Sequence, residues 1–134
     1  KLAAHDPRIE VVGHLPAHDA AVYLAAADVA VLPNSSQAQI SANYTSPLKL
    51  FEYLASGKPI VASNVPAIRE VVQNEQAALL VEPDNARALA EGIQRIGSDK
   101  ILQEKLCLSG LEVARQYSWK SRGILIKDFL ENLH

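Results

Sequence analysis

Short apolar runs alternate with amphipathic segments along the first 83 residues of the chain. Four of these runs are rich in Val, Ile, Leu and Ala and lack regular polar alternation, which is typical of strands covered on both faces. They extend over Ile9 to Val12, Val29 to Leu32, Ile60 to Ala62 and Leu79 to Val81. Because segments with helical periodicity lie between them, the pattern predicts a parallel sheet of about four strands with right-handed helical crossovers.

The helices between the strands have recognisable ends. The pattern predicts them from Pro16 to about Ala27, from Pro47 to Ser56 and from Pro66 to about Gln73. Proline suits the first position of a helix, because its missing N–H would have no partner there. For the second helix, Ser46 is the expected N-cap and Gly57 the expected stop.

After Pro83 the periodicity is helical throughout. Asp84, Asp99 and Ser118 each stand where an N-cap is expected, so three further helices are predicted. We expect Trp119, in the last of them, to pack in the core. The chain is therefore predicted to be a single α/β domain over residues 1–134, with alternating strands and helices over 1–83 and a helical tail over 84–134.

Composition excludes several classes of protein. The 134 residues are 49% hydrophobic and 21% charged, which is typical of one globular domain. A net charge of -2 without basic runs disfavours nucleic acid as a partner, and no apolar run reaches the roughly 18 residues of a membrane span. The single cysteine, Cys107, rules out an internal disulfide and indicates a reducing, cytoplasmic location. The histidines lack metal-ligand spacing, so no metal site is predicted.

The segment from Ser46 to Glu52 is the main candidate for chemistry. A helix N-terminus presents unpaired backbone N–H groups and a partial positive charge, so it can bind a phosphate or a sugar hydroxyl. Lys49 adds a cation in the first turn. Glu52 has two interpretations: a surface ion pair with Lys49 at i,i+3, or a carboxylate that accepts hydrogen bonds from the vicinal hydroxyls of a ribose.

A polar stretch between Leu32 and Pro47 separates the second predicted strand from this helix. It starts at the carboxyl end of a parallel strand, which is the edge where open α/β sheets bind ligands. A loop of this length is usually either functional or mobile. A ligand-site loop and a plain mobile connection are therefore both open.

Residues 46–63, which read SPLKLFEYLASGKPIVAS, resemble the C-terminal domain of family 4 glycosyltransferases, whose fold is the two-domain B type. Similar elements surround this segment in the family's order. They are a strand and glycine loop at 8–15, a strand at 27–33, a helix at 68–72, a strand at 79–84 and the start of a final helix at 117–119. The resemblance covers nearly the whole chain. It implies a partial Rossmann-like domain, because two strand-helix units of the family's domain would precede Lys1.

Matched position by position, the resemblance implies a set of donor-binding residues. Glu52 matches the second acid of the family's glutamate pair, which binds the ribose of the nucleotide-sugar donor. The first acid of that pair falls eight positions earlier, at Tyr44, so it is missing here. The loop that borders the nucleotide base corresponds to His14 and Leu15. The stretch that holds diphosphate and sugar corresponds to Thr45, Ser46, Leu48 and Lys49.

The implied activity is transfer of a sugar from a nucleotide donor to an acceptor hydroxyl with retained configuration, without a cofactor or an obligatory metal, as in polysaccharide biosynthesis. The acceptor, a glycan or a lipid, would bind to an N-terminal domain, and the full-length protein would be cytoplasmic or peripheral at the membrane. No catalytic residue is assigned within this chain. We expect the chain alone to be inactive, because the family's Arg and Lys that neutralise the diphosphate would lie upstream of Lys1.

Two alternatives belong to other classes. One is a non-catalytic nucleotide-binding or protein-interaction module of half-Rossmann type. The other is a flavodoxin-like signalling domain, which is disfavoured because no acidic cluster follows the first predicted strand.

The chain starts at Lys1 and contains no methionine, so we expect it to be a fragment of a longer protein. In a doubly wound sheet, the strand at Ile9 to Val12 would be separated from Val29 to Leu32 by two strands that this sequence lacks. The segment at Ile9 must therefore pair directly with Val29 to Leu32, pair with another chain or stay loose. An uncovered apolar edge favours association, so we expect self-association there.

Overall fold

The computed structural model describes residues 6–37 and 48–133, and in them helices flank a parallel sheet. The strands are β1 (Ala30–Leu32), β2 (Ile60–Ser63) and β3 (Leu79–Val81). The helices are α1 (Ala17–Ala26), α2 (Leu48–Ala55), α3 (Pro66–Arg69), α4 (Ala86–Ser98), α5 (Lys100–Gln116) and α6 (Trp119–Glu131). The predicted α/β class with a helical C-terminal part is confirmed.

The described sheet has the order β1-β2-β3, and both neighbouring pairs are parallel. Ala30 pairs with Ile60, and Val61 pairs with Leu79. All four residues of β2 are buried, as expected for a central strand covered on both faces. Three of the four predicted strands therefore form in nearly the predicted places.

The predicted strand at Ile9 to Val12 is wrong for the described structure. Its backbone N–H at Ile9 donates to the carbonyl of Asp6 at 3.0 Å, which closes a turn. Val11 is 74% exposed. A strand exists only through hydrogen bonds to a neighbour, and in the described residues β1 pairs with β2 alone. Of the three outcomes considered for this segment, direct pairing with Val29 to Leu32 is therefore not formed in the described residues.

The core lies on both faces of β2, because alternate residues of a strand point to opposite sides. One face of the sheet packs against α2 and α3, through Leu50, Leu54, Ile60, Ala62 and Ile68. The other face packs against α4 and the first half of α5, through Val61, Leu79, Ile96, Leu102 and Leu106. The second half of α5 packs against the first cluster and α2, through Val113 and Ala114. Helix α4 approaches the sheet so closely that a Cβ atom added at Gly92 would lie 2.9 Å from Val81 Cγ1.

Two of the three predicted N-caps after Pro83 are confirmed. The Asp99 carboxylate accepts from the N–H of Leu102 at 2.9 Å, and the Ser118 hydroxyl accepts from the N–H of Ser121 at 3.2 Å. The cap predicted at Asp84 is wrong, since Asn85 caps α4 by accepting from Ala88 at 3.0 Å. Asp84 has a φ of +58°, in the left-handed region, and this turn moves the capping position one residue along the chain.

The expected core position of Trp119 is also wrong, because its side chain is 86% exposed. Helix α6 has no fully buried residue, and its apolar side chains at Ile126 and Phe129 are 54% and 66% exposed. The apolar spacing of α6 is helical as predicted, but among the described residues only α5 packs firmly against it. Helix α1 likewise buries no residue completely, and its Leu24 is the side chain that reaches the core. In the described part of the chain, no helix has the length and apolarity that a bilayer span requires.

Candidate functional site

The carboxyl ends of the three strands meet at one edge of the sheet, because the strands are parallel. The chain leaves this edge through Pro33 to Gln37 after β1, through Asn64 after β2 and through Glu82 to Asn85 after β3. Ligands of open α/β sheets bind outside this edge. We therefore looked for the predicted site residues here.

Helix α2 begins on the same side of the molecule. It ends at Ala55, and β2 starts five residues later from the amino edge of the sheet, so α2 runs antiparallel to β2 and starts towards the carboxyl edge. Its inner face is set by Leu50 and Leu54, which are completely buried. The Ser56 hydroxyl donates to the Tyr53 carbonyl at 2.7 Å, and Gly57 follows with a φ of +68°, so the predicted stop is confirmed.

Three of the predicted donor-binding residues come together on the exposed side of α2. Leu48 is 69% exposed, and Lys49 and Glu52 are also exposed. The i,i+3 ion pair between Lys49 and Glu52, one of the two interpretations of this acid, is not formed among the ion pairs of the described residues. A buried stripe on one side thus leaves a lysine and a glutamate facing outward near the start of the helix.

His14 and Leu15 lie on a separate segment, just before α1. Gly13 turns the chain there with a φ of +72°, and His14 is exposed while Leu15 is half-buried. Because α1 leads into the amino end of β1 through a short connection, its own start also lies towards the carboxyl edge. The topology therefore places the starts of both α1 and α2 towards the carboxyl edge of the sheet. Thr45 and Ser46 lie outside the described residues, as does Tyr44.

A contact that the sequence did not indicate joins two loops at this edge. The backbone N–H and the hydroxyl of Ser36 both donate to Asp84 Oδ2, at 2.9 and 2.7 Å. The hydrogen bond from the Ser36 hydroxyl is the main reason that the pKa of Asp84 lies below its ordinary value, with help from Ser35. The two residues are 48 positions apart. Asp84 stood out in the sequence as an expected helix cap and as part of the matched segment at 79–84, and Ser36 as part of the polar stretch, but neither signal indicated that they contact each other.

The described residues hold no group of three or more His, Cys, Asp or Glu side chains placed to bind a metal ion. Cys107 is partly buried, and burial raises the pKa of its thiol. A raised pKa favours the protonated thiol over the thiolate, which is the nucleophilic form.

The sequence pattern of the family described as glycosyl transferases group 1 matches residues 1–99 of the chain, well over half of its length. The chain belongs to this family. The family resemblance expected from the sequence is thereby confirmed. This group 1 glycosyltransferase chain is 28% identical over 111 residues to a phosphatidyl-myo-inositol mannosyltransferase of Mycobacterium leprae, and the match covers 83% of the chain and 28% of that relative.

Solved structures agree with the family assignment. The sucrose-phosphate synthase of Thermosynechococcus elongatus has a TM-score of 0.74 at 32% identity, over 91% of this chain and 29% of that one. Anabaena Alr3699/HepE in complex with UDP and glucose has a TM-score of 0.78 at 20% identity, over 96% and 33%. The Rossmann-like fold is therefore confirmed. The chain spans no more than a third of the length of these proteins.

Proposed function

We propose that this group 1 chain is the part of a retaining glycosyltransferase that binds the nucleotide-sugar donor, and that the enzyme moves the sugar to an acceptor hydroxyl. The observation that carries the proposal is the outward-facing pair Lys49 and Glu52 near the start of α2, on the ligand side of the sheet. The fold supports it, since open α/β sheets take nucleotides at this edge. The resemblance to Alr3699/HepE, which was solved with UDP and glucose, supports it as well.

Each residue in the proposed site has a chemical role. The Glu52 carboxylate accepts hydrogen bonds from the two ribose hydroxyls, because its two oxygens can take both at once. The backbone N–H groups of Leu48 and Lys49 lie in the first turn of α2, where no carbonyl of the helix accepts from them. Ser46, the expected N-cap, would take one of them, and the other would donate to a phosphate oxygen. The Lys49 ammonium adds a positive charge beside them.

The remaining predicted residues extend the site. Thr45 and Ser46 precede α2 in the sequence and would hold the diphosphate and sugar together with it. His14 and Leu15 would border the base, a role that fits their place near the start of α1. We assign no base, because neither residue carries a pattern of donors and acceptors that selects one.

The chemistry that this arrangement supports is stabilisation of the leaving diphosphate. Breaking the bond from the sugar to the diphosphate leaves negative charge on the phosphate, and fixed positive charge lowers the barrier. Lys49 and the N-terminus of α2 supply part of that charge without a metal or cofactor. The acceptor, a glycan or a lipid, would bind to another part of the full-length protein, in the cytoplasm or at the membrane surface. We expect the 134-residue chain alone to bind donor without transferring sugar.

Self-association through the sheet edge belongs to the same proposal. In the described residues β1 has a hydrogen-bonded neighbour on one side only, so its other side is an edge that a second chain can pair with. Analytical ultracentrifugation of the chain over a range of concentrations tests this. A concentration-dependent dimer is expected, and a strict monomer at the highest concentration contradicts it.

Isothermal titration calorimetry of the chain with UDP, GDP and ADP tests the donor site. We expect one of the three to bind, and Glu52→Ala to weaken that binding about 10- to 100-fold, as for the loss of hydrogen bonds to a charged group. Glu104→Ala is the matched control, since Glu104 is also an exposed glutamate on a helix and lies on α5, outside the proposed site. Equal affinity of both variants and the parent chain contradicts the proposed function.

A further inference from the structure

The bond between Ser36 and Asp84 joins loops from two strands that are not neighbours. Strands β1 and β3 are separated by β2, so their axes lie about 10 Å apart. Asp84 Oδ2 nevertheless accepts from both the backbone and the side chain of Ser36. The two loops must therefore lean towards each other across the carboxyl end of β2.

The backbone at Asp84 has a conformation that residues other than glycine rarely adopt. Its φ is +58°, and the residue is exposed. Glycine is the residue that suits such a turn best, and aspartate is tolerated there because its short polar side chain can bond locally. Here the carboxylate bonds to a distant loop instead. Aspartate at this position therefore accepts hydrogen bonds from the other loop, which glycine has no side chain to do.

The loop on the other side of the bond is ordered by short hydrogen bonds of its own. The N–H of Asn34 donates to the Leu32 carbonyl at 3.1 Å, and the N–H of Gln37 donates to the Ser35 hydroxyl at 3.2 Å. These bonds shape the loop but do not attach it to the rest of the molecule. Among the described residues, Asp84 supplies that attachment through its two bonds from Ser36. In sequence, the loop leads on to α2, which carries the proposed donor-binding groups.

We propose that Asp84 is a positioning residue for donor binding. By holding Ser36 over the end of β2, it fixes the start of the long polar loop and borders the ligand edge on its β3 side. The inference rests on the proposed function, because it assigns Asp84 a part in shaping that same site. Asp84 does not touch the nucleotide, so its removal changes affinity through the loop.

Three variants separate positioning from folding. Asp84→Gly removes the carboxylate and its hydrogen bonds but also relieves the left-handed backbone, so its two effects on stability oppose each other and the thermal midpoint should change little. Asp84→Asn keeps an oxygen that can accept both bonds and also tolerates this backbone conformation. Ser36→Ala removes one of the two donors. Each is titrated with UDP, GDP and ADP, and amide hydrogen exchange at residues 34–37 is followed by NMR.

We expect Asp84→Gly to keep the thermal midpoint, to exchange faster at residues 34–37 and to bind the nucleotide at least fivefold more weakly. Asp84→Asn should stay within about twofold of the parent chain, and Ser36→Ala should fall between the two. Parent-like affinity of Asp84→Gly overturns the inference, and so does an equal loss in both Asp84 variants accompanied by a lower thermal midpoint. If the parent chain binds and Glu52→Ala does not, the proposed function stands whatever Asp84→Gly does. If the parent chain binds none of the three nucleotides, both proposals fail.

Discussion

The aromatic rings of Phe51 and Tyr117 contact each other, with centroids 5.1 Å apart and planes inclined at 41°. Phe51 directly precedes Glu52 on α2, and Tyr117 is the C-cap of the long helix α5. Because α2 and α5 also pack against each other, the ring contact helps to hold in place the helix that carries the proposed ribose-binding carboxylate. The position of Glu52 thus depends on a helix that contributes nothing to the site itself.

The ring contact predicts a measurable coupling energy. Phe51→Leu and Tyr117→Leu, made singly and together, should show a coupling of about 0.5–1.5 kcal/mol in the free energy of unfolding, as for other offset aromatic pairs. Urea denaturation followed by circular dichroism measures it. A coupling near zero would show that the rings are neighbours without interacting. Leu108→Ala, on an exposed side chain of α5, serves as the control and should change little.

Two glycines of α4 should respond in opposite directions to alanine. At Gly92 an added Cβ would lie 2.9 Å from Val81 Cγ1 and 3.2 Å from Val61 Cγ1, both on stiff β-branched side chains. We expect Gly92→Ala to destabilise the chain by about 1–3 kcal/mol through overpacking. At Gly97 nothing lies within 4 Å, so Gly97→Ala should stabilise by up to about 1 kcal/mol through helix propensity. Thermal unfolding of both variants decides the point, and the same sign of change in each contradicts the packing described here.

The bond between Asp84 and Ser36 should depend on pH in a defined direction. Hydrogen bonds from Ser36 lower the pKa of Asp84 below its ordinary value of 3.8. A carboxyl whose pKa is depressed by folding stabilises the fold fully above its unfolded pKa and loses that contribution as the pH falls through the folded pKa. In an NMR titration the amide proton of Ser36 should therefore stay constant down to about pH 5 and shift with a midpoint under 3.8. A midpoint above that value would mean that Ser36 does not bond to the charged carboxylate in solution.

Trp119 should behave as a solvent-exposed tryptophan. It is the only tryptophan in the chain, and 86% of its surface is exposed, so intrinsic fluorescence reports on it alone. We expect emission close to that of tryptophan in water and ready quenching by iodide. Trp119→Ser should cost less than about 0.5 kcal/mol, as for an exposed substitution. Blue-shifted, unquenched emission and a cost of about 3–5 kcal/mol would instead indicate the core position that the sequence suggested.

Apolar periodicity predicted those parts of the fold whose partners are close in the chain. The strands at Ile60–Ser63 and Leu79–Val81 and the caps at Asp99 and Ser118 depend on local residue types, and the pattern located them. The segment at Ile9 to Val12 is also rich in Ile and Val, but a strand needs a hydrogen-bonded neighbour as well, and residue composition does not show whether one is present. The predicted core position of Trp119 is wrong for a similar reason. An apolar stripe on a helix shows which face can be buried, but it does not show which other element covers that face.

The candidate site could be predicted in the same partial way. The capped helix that carries Glu52 is visible in the sequence, and its outward face follows from the buried stripe at Leu50 and Leu54. The bond from Ser36 to Asp84 could not be predicted, because it joins residues 48 positions apart through the sheet topology. The left-handed backbone at Asp84 moves the N-cap of α4 one residue along the chain, to Asn85. The spacing of residue types along the sequence does not predict a single residue in this conformation.

The central claim is that the Glu52 carboxylate binds the ribose of the donor nucleotide. The most direct measurement compares the tightest-binding nucleoside diphosphate with its 2′,3′-dideoxy form, on the parent chain and on Glu52→Ala, by isothermal titration calorimetry. The account predicts that the parent chain loses about 10- to 100-fold in affinity when the hydroxyls are removed, as hydrogen bonds to a charged group would require, and that Glu52→Ala loses almost nothing further. An equal loss of affinity in both proteins would contradict the claim, because the hydroxyls would then be bound by some other group.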